Sequence, residues 1–354
     1  MMSPDLAAHD PVDGAAHEPA AAAPDSLPIG APPATAPSHD RLQEPLRIGS
    51  LELDRRVFMA PMAGISTPAF RRSVRRFGAG LVYTEMISAY GVYYDNRRTL
   101  DYLDCGDEQH PVAFQLFGAD ADVVADAAAR CVRAGADLVD LNMACPVRKV
   151  MKTGAGAALL ADPERAAGIV RAVAEAAAPD VPVTVKIRSG LRDGDEAGRR
   201  TAPLLAAAGA AAVCIHPRTA AQLYRGRADH AVTRALAQEL DVPVIASGDV
   251  DGRAAALALL EGGAAAVMLA RHALGRPWLF AEVLDGAPEP DPADRLAEVR
   301  RFAADVLRDM GPRGVSHLRQ FWQRFRRNGA LERPLAQALM QAPDAATVRS
   351  LLGL

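Results

Sequence analysis

The sequence lacks several features that would place it in common protein classes. It has four cysteines in 354 residues, with no CxxC pair and no metal-ligand spacing to histidine, so neither a disulfide framework nor a metal site is expected. No apolar run reaches the roughly 18 residues that a membrane-spanning helix needs. The first residues include acids where a secretory signal would be basic and then apolar. These absences favour a cytoplasmic protein without a membrane anchor.

Aromatic residues are also scarce, at 5% of the chain, although half of the residues are hydrophobic. The core must therefore be built mainly from small and aliphatic side chains. The length suffices for one large domain, or for one large and one small domain.

The two ends of the chain carry opposite charge. Residues 1–44 hold seven acids against one arginine, are rich in alanine and proline, and have no periodic apolar pattern, which predicts a disordered acidic tail. From Arg300 onward, ten arginines face four acids. A basic helical segment of this kind either binds a polyanion or is an ordinary solvated face, and charge alone leaves both interpretations open.

Between these ends, short β-rich apolar runs alternate with alanine-rich helical stretches. The predicted strands are 57–60, 81–86, 111–117, 137–141, 183–187, 212–215, 244–246 and 265–269. The predicted helices include 68–77, 122–134, 163–178, 196–208 and 253–261. This rhythm predicts an α/β fold, a (β/α)8 TIM barrel over residues 45–288, followed by a small all-α helical domain over 289–354. A doubly wound open sheet is the alternative, but no GxGxxG follows the first strand.

Barrel enzymes place their chemistry at the C-terminal ends of the strands, and polar or small residues collect there in this sequence. Each has an ordinary explanation when taken alone, such as a helix cap, an ion pair, a buried histidine or a tight turn. Their common position favours a pocket instead. Gln115 and Lys186 would suit a ring, and Gly248 and Arg271 would suit a phosphate at the loops after strands seven and eight. FMN fits this combination best.

Cys145 lies on a proline-containing turn after the fourth strand. Asn142 precedes it, and Lys149 and Lys152 follow it. We interpret Cys145 as an exposed thiol whose basic surroundings lower its pKa and make it available for chemistry. The other three cysteines lie in apolar or acidic segments and are not expected to react. For this short segment taken alone, an ordinary βα loop remains the alternative.

Longer motifs around these positions resemble those of the tRNA-dihydrouridine synthases, particularly their bacterial B-like branch. The matching segments run in order over residues 46–283: APMAG at 60–64, TEM at 84–86, FQLFG at 114–118, LNMACP at 141–146, GAGAALL at 154–160, VKIR at 185–188, HPRT at 216–219, YRG at 224–226 and GRPWLF at 275–280. A weaker similarity continues through HLRQFW at 317–322.

The resemblance implies an NADPH-dependent FMN enzyme that reduces the C5=C6 bond of uridines in tRNA to 5,6-dihydrouridine. Cys145 would be the proton donor to C5, and the C-terminal helical domain of a monomeric protein would hold the tRNA. The residues implied to hold FMN are Pro61, Met62, Ala63, Gln115, Lys186, His216, Ser247, Gly248, Asp249, Ala270 and Arg271. Those implied to contact the uridine and nearby phosphates are Asn142, Lys149, Lys152 and Arg218.

Three residues depart from the pattern of that family. Ser247 replaces an asparagine, Ala270 replaces a glycine and His230 replaces a tryptophan. The first two changes lie at the phosphate end of the expected cofactor site and predict weaker FMN binding. Two other hypotheses stay open: an FMN-dependent reductase of a small pyrimidine or enone, and a non-catalytic tRNA-binding factor.

Overall fold

In the computed structural model, residues 40–105, 110–177 and 180–354 are described. An acidic tail was predicted for residues 1–44, and its residues 1–39 lie outside the described residues. Its last residues belong to the folded body, because Leu42 is fully buried and the Arg41 guanidinium donates a 2.7 Å hydrogen bond to the carbonyl of Leu260. The tail boundary predicted at residue 44 is therefore a few residues too late.

Eight parallel strands of the described residues form a barrel. A two-stranded antiparallel hairpin, β1 (Leu46–Ile48) and β2 (Leu51–Leu53), precedes it and was not predicted. The barrel strands are β3 (Val57–Met59), β4 (Val82–Ser88), β5 (Val112–Phe117), β6 (Leu138–Met143), β7 (Val183–Gly190), β8 (Ala212–Thr219), β9 (Val244–Ser247) and β10 (Ala266–Leu269). Neighbours in sequence are neighbours in the sheet, and β10 returns to β3. A parallel bridge from Phe58 to Leu81 joins β3 to the start of β4, so the predicted barrel is confirmed.

The helices of the barrel region lie between the strands, except the last one, which follows β10. They are α1 (Pro68–Arg76), α2 (Ala89–Tyr93), α3 (Arg97–Leu100), α4 (Ala121–Arg133), α5 (Arg148–Met151), α6 (Pro163–Ala177), α7 (Ala197–Ala207), α8 (His230–Glu239), α9 (Arg253–Glu261) and α10 (Leu279–Asp285). Capping side chains begin several of them, since Asp120 accepts from the Val123 N–H at α4 and Asp229 from the Ala231 N–H at α8. Helix α8 was missing from the prediction, although Asp229 is an N-cap signal for it.

The C-terminal segment is helical, as predicted. It contains α11 (Pro292–Met310), α12 (Arg313–Arg327), α13 (Arg333–Gln341) and α14 (Ala345–Leu352). Although aromatics are scarce in the chain, three phenylalanines meet where this segment packs on α1: the Phe302 and Phe321 ring centroids are 4.8 Å apart, and the Phe70 centroid is 6.0 Å from that of Phe321. Residues 41–354 accordingly form one compact unit. Among the described residues, no helix combines the length and the apolar character that a membrane-spanning segment requires.

A buried carboxylate links α11 to α1. Glu298 is 3% exposed and accepts hydrogen bonds from the Ser73 hydroxyl at 2.7 Å and from the Arg76 guanidinium at 2.6 and 3.0 Å. Removing one partner of a buried ion pair leaves the other charge and its donors without compensation. The hydrogen bonds of Glu298 therefore help to attach the helical segment to the barrel.

Replacing this carboxylate by Glu298→Ala is expected to lower the free energy of unfolding by about 2–3 kcal/mol, because the partly exposed Arg76 loses its buried partner. Urea denaturation followed by circular dichroism measures the change. Glu239→Ala is the matched control, since Glu239 also pairs with an arginine, Arg199, but both side chains are exposed. The control is expected to change little. Equal losses in the two variants would contradict the role given to Glu298.

Candidate active site

A chain of side-chain hydrogen bonds crosses strands β5, β6 and β7 inside the barrel. The Thr184 hydroxyl donates to Asp140 Oδ1 at 2.6 Å, and Gln115 Nε2 donates to Asp140 Oδ2 at 2.7 Å. Asn142 Nδ2 then donates to Gln115 Oε1 at 2.8 Å. Asn142 Oδ1 accepts from the backbone N–H of Cys145 at 2.8 Å. Both amide side chains are thereby oriented, and the chain ends on the backbone of the cysteine.

Asp140, at the start of this chain, was missed by the sequence prediction. It is fully buried on β6, and burial raises its pKa to about 6, while the hydrogen bonds from Thr184 and Gln115 and the charge of Lys186 oppose the rise. The available signal was an acid inside the apolar strand LVDLNM, because a buried acid needs partners.

Cys145 is half-buried, not exposed as expected from its polar neighbours. Burial raises the pKa of its thiol, and the backbone N–H of Val147 and the charge of Arg188 only partly oppose this. Lys149 and Lys152 are exposed. The prediction that basic neighbours lower the cysteine pKa was therefore wrong, because desolvation outweighs the nearby charge. The thiol stays protonated at neutral pH and can act as an acid.

Lys186 lies beside the same chain of hydrogen bonds. It is 7% exposed on β7, where its backbone is the register partner of Asn142 on β6 and of Cys214 on β8. Its positive charge lowers the pKa of Asp140, which the sequence analysis missed, and the pKa of His216, which was predicted as a site residue. The structure thus places a buried cation next to the oriented amides.

His216 lies on β8 among four cations. Burial is the largest cause that lowers the pKa of its imidazole, followed by the charges of Lys186, Arg188, Arg218 and Arg271, so the ring is neutral. The Arg218 guanidinium lies 3.2 Å from His216 Nε2. Because arginine can only donate, Nε2 is the acceptor and the proton is on Nδ1. The histidine therefore presents one defined N–H donor.

Arg218, expected to contact the substrate, is 1% exposed. Its Nη2 donates to both Asp249 oxygens, at 2.7 and 2.9 Å, and to the Gly226 carbonyl at 2.7 Å. Burial opposes the ionisation of Asp249, but hydrogen bonds from the Ala228 N–H and from Arg218 outweigh it and lower the Asp249 pKa. This placement indicates that Arg218 and Asp249 hold the loop after β9. It does not favour direct contact between Arg218 and the substrate.

The loop after β9 comes close to His216. Ser247 ends the strand and is 3% exposed, and Gly248 follows with φ of 104°. A Cβ at Gly248 would lie 2.8 Å from His216 Cδ2, so only glycine fits. His230 stands where the resembling family has tryptophan. Its Nε2 lies 2.9 Å from the Gly248 carbonyl oxygen, which can only accept a hydrogen bond. The histidine therefore anchors this loop from α8.

The loop after β10 contains Ala270, which is partly buried, and Arg271, which is 47% exposed. The Arg271 guanidinium lies 4.9 Å from the Tyr224 ring centroid, and that of Arg188 lies 5.6 Å from the same centroid. Both distances are in the range of cation–π contacts. Tyr224 and Arg188 belong to motifs identified in the sequence, but they were not predicted as site residues.

The first barrel loop meets the helical segment. After β3 it contains Pro61, Met62 and Ala63. The Gly64 N–H donates to Glu85 of β4, and the Gly64 carbonyl accepts from Gln320 Nε2 of α12 at 3.1 Å. Glu85 was not predicted as a site residue. Helix α12 therefore reaches the end of the barrel at which the predicted site residues collect.

Eight of the ten arginines of the C-terminal segment fall into two groups. Arg300 and Arg319 donate to the carbonyls of Leu352 and Ala342, and Arg308 pairs with Asp305 and Asp309. These side chains serve the helical segment itself. Five arginines are exposed and not in those contacts: Arg301, Arg313, Arg327, Arg333 and Arg349. In residues 40–105, 110–177 and 180–354, no group of three or more histidine, cysteine, aspartate or glutamate side chains is arranged to hold a metal ion.

Solved structures share this fold at low sequence identity. Morphinone reductase superposes with a TM-score of 0.52 at 19% identity, over 72% of this chain and 92% of that one. Histamine dehydrogenase from Rhizobium sp. 4-9 superposes with a TM-score of 0.55 at 16% identity, over 70% of this chain. This chain spans 48% of the histamine dehydrogenase chain. At such identities the likeness shows the fold alone.

Sequence relatives are much more similar. The tRNA-dihydrouridine synthase B of Pseudomonas aeruginosa is 38% identical over 276 residues, which cover 74% of this chain and 82% of that protein. The probable tRNA-dihydrouridine synthase 1 of Synechocystis sp. is 38% identical over 307 residues, 83% of this chain and 85% of that protein. The family model described as dihydrouridine synthase (Dus) matches residues 58–349. Because this match includes the barrel and most of the helical segment, the chain belongs to the dihydrouridine synthase family.

Proposed function

We propose that this protein is a B-type tRNA-dihydrouridine synthase, which uses FMN and NADPH to reduce the C5=C6 bond of uridines in tRNA. Its family and the names of its relatives support this activity. The observation that carries the proposal is the Cys145 loop, held by Asn142 at the barrel end where Gln115 and Lys186 lie. A half-buried, protonated thiol beside a buried cation suits a reaction in which carbon receives a hydride and then a proton.

The residues at the strand ends fit FMN. A Cβ at Gly248 would fill the space beside His216, so the backbone there can approach a ligand closely. Lys186 supplies a buried cation, which can stabilise negative charge on a reduced ring, and Arg271 supplies a partly exposed cation for a phosphate. FMN, when bound, would supply the hydride that it receives from NADPH. Pro61, Met62 and Ala63, in the loop after β3, would also line the site.

The substrate uridine would lie against Asn142 and Cys145. The raised pKa keeps the Cys145 thiol protonated, so that its Sγ–H can donate a proton to uracil C5. Lys149 and Lys152 are exposed on and beside α5, where they can contact phosphates next to the extruded base. The proposal gives residues 45–288 the catalytic role and residues 289–354, in a monomer, the role of holding tRNA.

Removing the proton donor by Cys145→Ala is expected to slow uridine reduction by about 10²–10⁴-fold, the usual contribution of a positioned acid. Mass spectrometry of an unmodified tRNA transcript measures dihydrouridine. NADPH oxidation in the absence of tRNA should not change, because that step needs no proton from the thiol. Cys105→Ala, which removes another half-buried thiol, is the control. Wild-type rates in Cys145→Ala would contradict the role of Cys145, and turnover of free uridine or an enone without tRNA would favour the small-substrate hypothesis.

The pH profile gives a second test of Cys145. An acid is active below its pKa, and burial raises the pKa of this thiol, so the rate of uridine reduction should stay high past the ordinary thiol pKa of about 8.5 and fall only at higher pH. Single-turnover rates with pre-reduced enzyme at pH 6–10 measure this limb. A fall centred below pH 8 would show that nearby cations dominate burial after all.

The cofactor site is tested at Gly248. In Gly248→Ala, the new methyl meets His216 and the positive φ is strained, so the Kd for FMN is expected to rise about tenfold or more. Quenching of FMN fluorescence measures the Kd. Gly252→Ala is the control, because Gly252 is in the same loop with an extended backbone and no atom within 4 Å of an added Cβ. Similar FMN affinity in both variants would contradict the placement of FMN at Gly248.

Ala270 tests the predicted weakness of the phosphate site. Ala270→Gly removes the methyl from the loop that carries Arg271, and it is expected to lower the Kd for FMN because the backbone can then approach the phosphate more closely. The same fluorescence titration measures the change. An unchanged Kd would show that this methyl does not limit FMN binding. Purified wild-type protein that takes up no FMN, yet still binds tRNA, would favour the non-catalytic factor.

A further inference from the structure

Three tyrosines are exposed together just after β4. Tyr90, Tyr93 and Tyr94, here called the tyrosine patch, are 41%, 43% and 71% exposed. They are half of the six tyrosines in a chain that is poor in aromatic residues. Their outward position comes from α2, whose Ala89 and Val92 face the core. Large aromatic side chains grouped on a surface mark a binding site more often than single exposed ones do.

The segment that carries the tyrosine patch is held firmly. Ser88 caps α2 by accepting from the Gly91 N–H at 3.2 Å. Arg130 of α4 donates to the Val92 carbonyl at 3.2 Å and to Asp95 at 2.6 Å. A Cβ at Gly91 would lie 2.4 Å from the Thr99 hydroxyl, so α2 and α3 are in close contact. The tyrosine rings are therefore presented in a defined arrangement.

The rings themselves are arranged as a platform. The Tyr90 and Tyr94 rings are stacked at 15° with centroids 6.3 Å apart, and the Tyr93 ring meets Tyr94 edge-on at 5.1 Å. Arg97 and Arg98, which begin α3 three residues after Tyr94, are both exposed. Aromatic faces beside arginines are the combination that holds single-stranded nucleic acid, because bases stack on the rings and the cations attract phosphates.

The tyrosine patch also lies at the end of the barrel that carries the candidate active site. Helix α2 begins directly after β4, and Met86 of β4 packs in the same small apolar cluster as Cys145. Asp95, the acid closest in sequence to the arginines, is already paired with Arg130. A polyanion that reaches Cys145 can therefore extend past β4 to the two arginines.

We propose that the tyrosine patch, with Arg97 and Arg98, binds unstacked tRNA nucleotides that neighbour the uridine in the active site. This inference rests on the proposed function. Extruding a base removes stacking from its neighbours as well, and the tyrosine faces replace that stacking in a sequence-tolerant way. The patch acts on binding, so it sets how tightly tRNA is held and leaves the chemical step unchanged.

The test compares Tyr93→Leu/Tyr94→Leu with Tyr93→Phe/Tyr94→Phe in the full FMN-loaded protein. Fluorescence anisotropy with an unmodified tRNA transcript measures the Kd. The leucine pair keeps apolar volume but removes the rings, and its Kd is expected to rise about tenfold or more, whereas the phenylalanine pair should bind like wild type. Leu204→Ala, at an exposed position of α7, is the control for loss of surface apolar area. NADPH oxidation without tRNA should be equal in all variants.

The arginines are tested by salt dependence. Arg97→Gln/Arg98→Gln should reduce the slope of log Kd against log salt by about 2, one for each lost phosphate contact. Wild-type affinity in the leucine pair, or an unchanged salt slope in the glutamine pair, overturns the proposal. So does a wild-type dimer that the leucine pair dissociates without loss of tRNA affinity, since the patch would then be an interface between copies. Failure of the proposed function has a different signature: no dihydrouridine forms in any tRNA, whatever the affinities.

Discussion

The buried carboxylate of Asp140 is the group on which the geometry of the site depends. An ionised carboxylate only accepts hydrogen bonds, so the Gln115 amide must turn its NH2 group toward it. The Gln115 oxygen is then left for Asn142, and the Asn142 oxygen is left for the backbone of Cys145. One charge in the barrel interior thus sets the direction of each later hydrogen bond. Burial makes that charge costly, and Thr184 and Lys186 offset the cost.

A second group of charges surrounds His216. Each nearby arginine has fixed partners: Arg188 donates to the carbonyls of Ala144 and Thr219, and Arg218 donates to Asp249. These contacts keep cations at the strand ends without neutralising all of them. Burial, with the summed field of these cations added to it, keeps the imidazole neutral. An interior with excess positive charge is matched to an anionic ligand, which agrees with the proposed phosphate-bearing cofactor and RNA.

The helical segment is attached to the barrel close to this site. Glu298 joins α11 to α1, and Gln320 of α12 donates to the Gly64 carbonyl in the loop after β3. Any RNA held by the exposed arginines of the segment is thereby positioned relative to the barrel. Arg300 and Arg319 instead bond to carbonyls of the segment itself, which is why the charge count in the sequence overstated the surface available to a polyanion.

The sequence by itself predicted the barrel, its strand-end residues and the C-terminal helices. This was possible because hydrophobic periodicity and the order of the strands can be read from each segment separately. Family motifs located Cys145, Gln115 and Lys186 for the same reason. Only the tertiary structure decided that the Cys145 pKa rises, that Arg218 is buried, and that Asp140 orients the amides. Those properties depend on desolvation and on partners from distant strands, and a charge near in sequence, such as Lys149, need not be the charge that acts in space.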